Sequence, residues 1–211
     1  MDDLSYSACY GIPASQPGQP TWEAALEFPL QGHWTEADFF KLDLARGYEL
    51  VHGRLERLSM STLFHQNLVR FLFGQLEAFV LARTLGRVVF APFIVRLGPD
   101  HLRQPDVCFV RQERVKDLHT PPEGADLIME VVSPGKENRT REFDEKRSAY
   151  AEAGIPEYSI VDPEQRTISV LALEGVAYRV AGVYGAGEQA ASVLLPGFEI
   201  DVSAAWAAAE A

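Results

Sequence analysis

The sequence predicts a mixed α/β domain, a central β-sheet flanked by helices, and three observations support this. Two runs, QPDVCFV (104–110) and DLIMEVVSP (126–134), are dominated by apolar residues, as in strands that are covered on both faces. Residues 64–84 place apolar side chains at helical spacing. Helical and extended patterns alternate along the chain, which is typical of a mixed sheet with helices on both faces.

The bulk properties indicate one globular domain. The chain has 211 residues, 47% of them hydrophobic and 23% charged, which is unlike a disordered protein. We expect residues 1–30 to be a flexible leader rich in Gly, Pro, Ser and Gln, and residues 31–211 to be a single domain. No apolar run reaches the about 18 residues of a membrane span, and no secretory signal is recognised. We therefore expect a cytoplasmic protein with no membrane contact.

The first predicted elements are a helix and a hairpin. Thr35 is a typical N-cap for a helix over EADFFKLDLA (36–45). YELVHGRLERLS (48–59) predicts a hairpin that turns at His52-Gly53.

A long helix and a bent extended segment follow. The helix over 64–84 is expected to end at Gly86, because glycine commonly terminates helices. VVFAPFIVRL (88–97) predicts a strand, or a pair of strands, bent at Pro92. A charged connection then leads from the first apolar run to the second.

The second apolar run, 126–134, predicts a central strand. Residues 139–153 are typical of a helix that stops at Gly154, and EYSIVDP (157–163) predicts a further strand.

The carboxyl-terminal segment predicts a hairpin, a short strand and a helix. The hairpin over 166–185 is expected to turn at Glu174-Gly175. LLPGFEIDVSAAWAAA (194–209) predicts the short strand and a terminal helix that is capped by Ser203.

Cysteine content and charge exclude some classes of protein. Cys9 and Cys108 belong to no zinc-binding pattern, and Cys108 is expected to be a small buried hydrophobic residue. A net charge of −11 is unlike a protein that binds nucleic acid through a broad basic face. A nuclease remains possible, because metal ions and local lysines can offset the repulsion of phosphates near a site.

Three charged residues form the candidate site. Asp106 opens one apolar run, Glu130 lies inside the next, and Lys146 lies on the helical stretch that follows. Buried carboxylates are costly unless they are paired. Mg²⁺ uses one or two protein carboxylates and keeps water and phosphate as its other ligands. We expect Asp106 and Glu130 to bind Mg²⁺ or Mn²⁺, with the Val131 carbonyl as a third ligand and Lys146 orienting the attacking water or stabilising charge.

Each residue also has a structural interpretation. A Pro-Asp dipeptide is common in turns, and a carboxylate at the start of a strand is often a capping group. A lysine in an EKR run usually faces solvent. A glutamate inside a central strand is harder to explain without a function, because both faces of the strand are covered.

The motifs QPDVCFV, DLIMEVVSP, AYAEAGIPEYSIVDP and LLPGFEIDV resemble the Uma-type restriction endonuclease family of the PD-(D/E)xK nuclease superfamily. The resemblance runs from about Trp34 to Val202. It implies a restriction-endonuclease-like core with an N-terminal helix and hairpin and a C-terminal meander. It also implies an endonuclease that hydrolyses DNA with metal-activated water.

The resemblance assigns roles by position. Asp106 and Glu130 match the motif acids, but Val132 stands where the motif expects lysine. Lys146 on the following helix takes that role, in preference to Lys136 in the Pro-Gly loop.

Three more residues are supporting candidates. Glu49 matches an N-terminal acid of the superfamily that could bind a second metal or a metal water, and it could equally be an exposed hairpin residue. His65 matches a family position where it could contact phosphate, although a capping or packing role is also common there. Gln104 precedes the Pro-Asp pair and could face the same cleft.

Three functions stay open at this point. The first is a DNA endonuclease, which we expect to act as a homodimer because two active sites are the simplest way to cut both strands of a duplex. The second is a catalytically silent or regulatory binding module with the same fold, which the negative charge favours. The third is a nuclease that acts on RNA.

Overall fold

The computed structural model describes residues 28–41 and 47–211. Most of the predicted leader, Cys9 and the second half of the first predicted helix lie outside the described residues. None of the described helices is both long enough and apolar enough to cross a membrane.

The helices of the described residues are α1 (Glu36–Lys41), α2 (Leu63–Arg83), α3 (Lys136–Thr140), α4 (Arg147–Glu152) and α5 (Val202–Glu210). A π-helical segment, Arg141–Lys146, joins α3 to α4. The strands are β1 (Tyr48–Val51), β2 (Arg54–Arg57), β3 (Gly86–Phe90), β4 (Val95–Gly98), β5 (His101–Arg103), β6 (Val107–Arg111), β7 (Leu127–Val131), β8 (Glu157–Asp162), β9 (Thr167–Glu174), β10 (Ala177–Tyr184), β11 (Gln189–Ala191) and β12 (Glu199–Asp201).

The central sheet has six strands in the order β10-β9-β8-β7-β6-β3. Strands β7 and β8 are parallel, and every other neighbouring pair in this sheet is antiparallel. The predicted mixed sheet with flanking helices is therefore confirmed. A smaller sheet in the order β2-β1-β5-β4 contains the predicted hairpin, and β11 pairs with β12.

Helices cover both faces of the central sheet, as the unbroken apolar strands predict. One face packs against α2 and α5, and its core joins Leu72, Met129 and Trp206. The opposite face packs against α4, and its core joins Cys108, Ile128 and Tyr150. Successive residues of a strand point to opposite faces, so β7 sends Met129 towards α2 and Glu130 towards α4.

The first predicted helix and hairpin agree with the structure. The Thr35 hydroxyl accepts a hydrogen bond from the Asp38 amide at 3.2 Å, and the Asp38 carboxylate accepts one from the Thr35 amide at 3.1 Å. This reciprocal arrangement satisfies two backbone donors at the start of α1. His52 and Gly53 both have positive φ in the turn between β1 and β2, as expected of a tight hairpin.

The predicted span of the long helix, 64–84, agrees with α2 to within one residue at each end, but Gly86 does not end the helix. Helix α2 ends at Arg83, and Thr84 takes the left-handed conformation at its C-cap. Gly86 instead begins β3, where a Cβ atom would lie 2.1 Å from the Val110 carbonyl oxygen. Glycine is thus required there for the close approach of two strands.

Asp201 caps α5, in place of the predicted Ser203. The Asp201 carboxylate accepts a hydrogen bond from the Ala204 amide at 2.8 Å. The Ser203 hydroxyl accepts one from the Gly187 amide at 2.8 Å and so ties a neighbouring loop to the helix.

Two leucines on α2 test which face of this helix carries the core. Leu72 is fully buried and Leu81 is 59% exposed. We expect Leu72→Ala to lower the free energy of unfolding by about 2–5 kcal/mol, because it opens a cavity against the sheet. Leu81→Ala, the matched control, should change it by about 0.5 kcal/mol or less. Urea unfolding followed by circular dichroism measures both, and equal losses in the two variants would contradict the packing described.

Candidate active site

The register of β6 and β7 brings the two predicted acids together. Val107 pairs with Met129 in an antiparallel ladder, so Asp106 and Glu130 lie side by side at the same end of the strands. The Asp106 amide donates to Glu130 Oε2 at 3.3 Å, and the Val131 amide donates to Asp106 Oδ2 at 2.8 Å. Hydrogen bonds from backbone amides therefore fix the positions of both carboxylates.

Glu130 is buried, and its other oxygen has two charge-stabilising partners. Oε1 accepts a hydrogen bond from the Tyr150 hydroxyl at 2.6 Å and lies 2.9 Å from Lys146 Nζ. Tyr150 lies on α4 and Lys146 on the π-helical segment, so the helix opposite β7 holds this carboxylate.

Lys146 lies between two buried acids. Its Nζ is 2.9 Å from Glu142 Oε1 as well as 2.9 Å from Glu130 Oε1. The Tyr158 hydroxyl donates to Glu142 Oε2 at 3.2 Å. We call Lys146, Glu130 and Glu142 the buried triad.

Burial and neighbouring charges compete in the titration of this triad. Burial raises the pKa of Glu130 to about 8, against the attraction of Lys146, and the charges of Glu142 and Asp106 add to the rise. Burial also raises the pKa of Glu142, which Lys146 opposes. Lys146 keeps a raised pKa because its acidic neighbours outweigh its own desolvation. Two acids thus share one ammonium group, and a cation bound beside them would favour the ionised form of Glu130 and release its proton.

His65 begins the first turn of α2 and faces Asp106. Its Nε2 lies 3.2 Å from Asp106 Oδ2. Desolvation lowers the pKa of His65, but the hydrogen bond and charge of Asp106 together with the Val131 backbone raise it overall. The structure therefore brings His65 to the acids that the sequence predicted.

Glu49 lies in a second buried cluster beside the triad. Its Oε1 accepts a hydrogen bond from the Gln104 amide at 2.7 Å. Its Oε2 lies 2.7 Å from Arg103 Nη1 and also bonds Nη2 of Arg141. Burial raises the pKa of Glu49, but Lys146 and the two arginines lower it to about 2 overall. We call Glu49, Glu56, Arg103 and Arg141 the arginine cluster, since Glu56 Oε2 lies 2.8 Å from Arg103 Nη1.

A cavity of about 310 Å³ joins these groups to solvent. Its lining includes the predicted site residues other than Glu49, with serine, asparagine and glutamine side chains around them: His65, Gln104, Asp106, Glu130, Val131, Lys146, Ser59, Ser61, Gln66, Ser133 and Asn138. The arrangement therefore has the size and polarity to admit a phosphate group and water.

The donor set fits a hard divalent cation. Asp106 and Glu130 present carboxylate oxygens beside the Val131 backbone, and oxygen ligands of this kind suit Mg²⁺ and Mn²⁺. No group of three or more His, Cys, Asp or Glu placed to hold a metal occurs within residues 28–41 and 47–211. Such a set is not required, because Mg²⁺ commonly takes one or two carboxylates and completes its shell with water and phosphate.

The two candidate lysines lie in different environments. Lys146 is 5% exposed in the triad, whereas Lys136 is exposed at the start of α3. Val132, at the position where the motif expects lysine, is buried in the apolar core beneath α4. The structure thus brings Lys146, and not Lys136, to the two acids.

Sequence reasoning missed two contacts of the site. Glu142 lies four residues before Lys146, a helical spacing that permits an ion pair. Tyr150 lies four residues after it and reaches Glu130. This spacing was visible in the sequence, but a charged helix face usually meets solvent, so nothing indicated that it would be buried.

Two comparisons relate this chain to known protein families and structures. A family model described as "Uma2: Putative restriction endonuclease" matches residues 37–203. The fold is also similar to a crystal structure described as a putative nuclease belonging to DUF820 from Anabaena variabilis ATCC 29413. That similarity has a TM-score of 0.65 at 16% identity and covers 86% of this chain and 99% of the other. No curated protein matches the chain.

Removing the ammonium group should destabilise the fold in a pH-dependent way. In Lys146→Met two buried carboxylates face each other unpaired, which we expect to cost about 3–5 kcal/mol of unfolding free energy at pH 9. Their folded pKa values would then lie further above the unfolded value of 4.5 than in wild type. The folded variant would bind more protons than the folded wild type at pH values above the wild-type pKa of Glu130, about 8, so the loss relative to wild type should shrink as pH falls from 9 to 7.

Urea unfolding at pH 9, 8 and 7 measures this difference. Lys136→Met is the matched control and should behave as wild type at each pH, because Lys136 is exposed. A loss in Lys146→Met that stays constant across this range would contradict the buried triad.

Proposed function

Because the chain belongs to the Uma2 restriction endonuclease family, we propose that it is a metal-dependent endonuclease that hydrolyses phosphodiester bonds of DNA. The observation that carries this proposal is the convergence of Asp106, Glu130 and Lys146 at one cavity. Asp106 and Glu130 lie on neighbouring strands, and Lys146 is 2.9 Å from Glu130.

Asp106 and Glu130 would hold Mg²⁺, or Mn²⁺ in its place, with the Val131 carbonyl beside them. Bound there, the ion would lower the pKa of a water molecule and neutralise charge on the phosphoryl oxygens. The backbone hydrogen bonds to both carboxylates support this role, because they fix the ligands in advance and little ordering remains for metal binding.

Lys146 would orient the attacking water or stabilise the negative charge that develops on the phosphate. Its buried position favours either role, because charge interactions are strong where water is excluded. Its raised pKa keeps it protonated at neutral pH, so charge stabilisation fits better than proton abstraction. Glu142 and Tyr150 hold the two ends of its ion pair in place.

DNA as the substrate and a homodimer as the active form belong to this proposal. Two copies of the site are the simplest way to cut both strands of a duplex. The net charge of −11 implies few contacts with DNA phosphates outside the site, so we expect the affinity for DNA to depend only weakly on salt concentration.

Substitution of the metal ligands tests the proposal directly. We expect Asp106→Asn and Glu130→Gln each to lower cleavage of plasmid DNA in Mg²⁺ by at least about 100-fold. Each should also abolish Mn²⁺ binding measured by calorimetry. Glu145→Gln is the matched control, because Glu145 is an exposed acid next to Lys146 on the π-helical segment. It should leave DNA cleavage and Mn²⁺ binding unchanged.

Circular dichroism of each variant separates loss of function from loss of fold. Wild-type rates in folded Asp106→Asn would refute the assigned site. If the wild-type protein cleaved RNA and not plasmid DNA, the proposed substrate would be RNA in place of DNA. A wild-type protein that neither binds Mn²⁺ nor cuts DNA or RNA would instead be a catalytically silent binding module.

A further inference from the structure

Arg141 connects the candidate active site to the arginine cluster. It lies at the start of the π-helical segment and lines the same cavity as Asp106, Glu130 and Lys146. Its Nη2 bonds Glu49 Oε2 and lies 3.5 Å from Glu56 Oε2. Nη2 of Arg141 is thus held by the arginine cluster, while the same side chain also lines the cavity.

The π-helical geometry explains why Arg141 and Lys146 share the cavity. These residues are five apart, and a π-helix bonds residue i to residue i+5, which brings that pair onto one face. In an α-helix the corresponding spacing is three or four residues. The segment Arg141–Lys146 therefore directs two cations to one side, where an α-helix would turn one of them away.

The two cations have different capacities for a ligand. Of the described residues that line the cavity, Arg141 and Lys146 carry fixed positive charge. Lys146 is 7% exposed as a side chain and already has carboxylates at 2.9 Å on two sides. Arg141 is 16% exposed as a side chain and uses only Nη2 in its ion pairs. A guanidinium carries five N–H donors, so Arg141 retains donors for another acceptor.

One donor of Arg141 shows directly that its bonding is incomplete. Within the described residues, its buried Nε has no hydrogen-bond acceptor. A buried donor without an acceptor destabilises the folded state, and nearly all buried donors in folded proteins have an acceptor. A small rotation of the guanidinium towards the cavity would let an oxyanion there remove this cost.

We propose that Arg141 binds a non-bridging oxygen of the phosphodiester in the cavity, and that Glu49 positions Arg141 for this contact. The inference rests on the proposed function and names how the same site holds its substrate. Arginine suits the task, because its planar fork of donors matches the geometry of phosphate.

Glu49 thereby takes a role different from metal binding. Its Oε1 and Oε2 already accept hydrogen bonds from Gln104, Arg103 and Arg141. Its carboxylate lies between two guanidinium groups and bonds only Nη2 of Arg141, so it fixes Arg141 and leaves the other donors of this side chain for a ligand.

Binding of an oligonucleotide without cleavage tests the inference. A fluorescent DNA oligonucleotide is titrated with the full chain in EDTA, and anisotropy gives Kd at several salt concentrations. We expect Arg141→Gln to weaken binding by roughly 10- to 100-fold. The slope of log Kd against log salt should fall by about 0.7–0.9, the effect of one lost phosphate contact.

Arg147→Gln is the matched control for the change in charge. Arg147 lies on the same helical stretch but donates to the Tyr178 carbonyl at 2.9 Å, outside the cavity. Its Kd and slope should equal those of wild type. Arg141→Lys keeps the charge and should fall between wild type and Arg141→Gln, which preserves the test if the glutamine variant does not fold.

A double-mutant cycle tests the positioning role of Glu49. Glu49→Gln should weaken binding in the wild-type background and have no effect in the Arg141→Gln background. Additive effects would reject positioning through Arg141.

The results separate this inference from the proposed function. Wild-type affinity and slope in folded Arg141→Gln, or no binding by the wild-type chain, would overturn the role of Arg141. Binding that depends on Arg141, in a chain that cuts no DNA in Mg²⁺, would support the contact and reject the endonuclease. Mn²⁺ affinity should be the same in Arg141→Gln and wild type, because Arg141 contributes no metal ligand.

Discussion

The ion pair between Lys146 and Glu130 is the interaction on which the site depends. Both groups are buried, and transfer of each charge out of water costs several kcal/mol before any attraction is gained. Such a pair persists only if its remaining bonding capacity is satisfied. Tyr150 and Glu142 supply this, and Tyr158 in turn holds Glu142. The π-helical segment and α4 are therefore joined to β7 by an ion pair as well as by apolar packing.

Much of this arrangement could be predicted from the sequence for identifiable reasons. Glu130 stood out because a carboxylate inside an apolar strand requires a partner. Asp106 could be placed beside it because the family resemblance assigns both residues to one motif. The contacts of Glu142 and Tyr150 could not be predicted, since α-helical spacing leaves open which face meets the sheet. The π-helical geometry and the three-residue strand β5 had no recognisable pattern, because tertiary contacts and not local preference determine them.

The site combines two clusters with different charge balance. The arginine cluster holds two guanidinium groups and two carboxylates, so its formal charges cancel. When fully ionised, the triad and Asp106 together hold three carboxylates and one ammonium group, and His65 offsets the excess negative charge only when it is protonated. A divalent cation would act on the second cluster and a phosphate on the border between the two. This division would allow an acidic chain to bind a phosphate and a divalent cation within one site.

The π-helical segment makes the winding of this helix as important as its composition. If the same residues formed a regular α-helix, every chemical group would stay in the chain, but Arg141 and Lys146 would still be five residues apart. At about 100° per residue, the two side chains would then point about 140° apart around the helix axis. Either cation could still reach its own cluster, but both could not do so on one continuous helix. The register of a single turn thus decides whether the two charge clusters share one cavity.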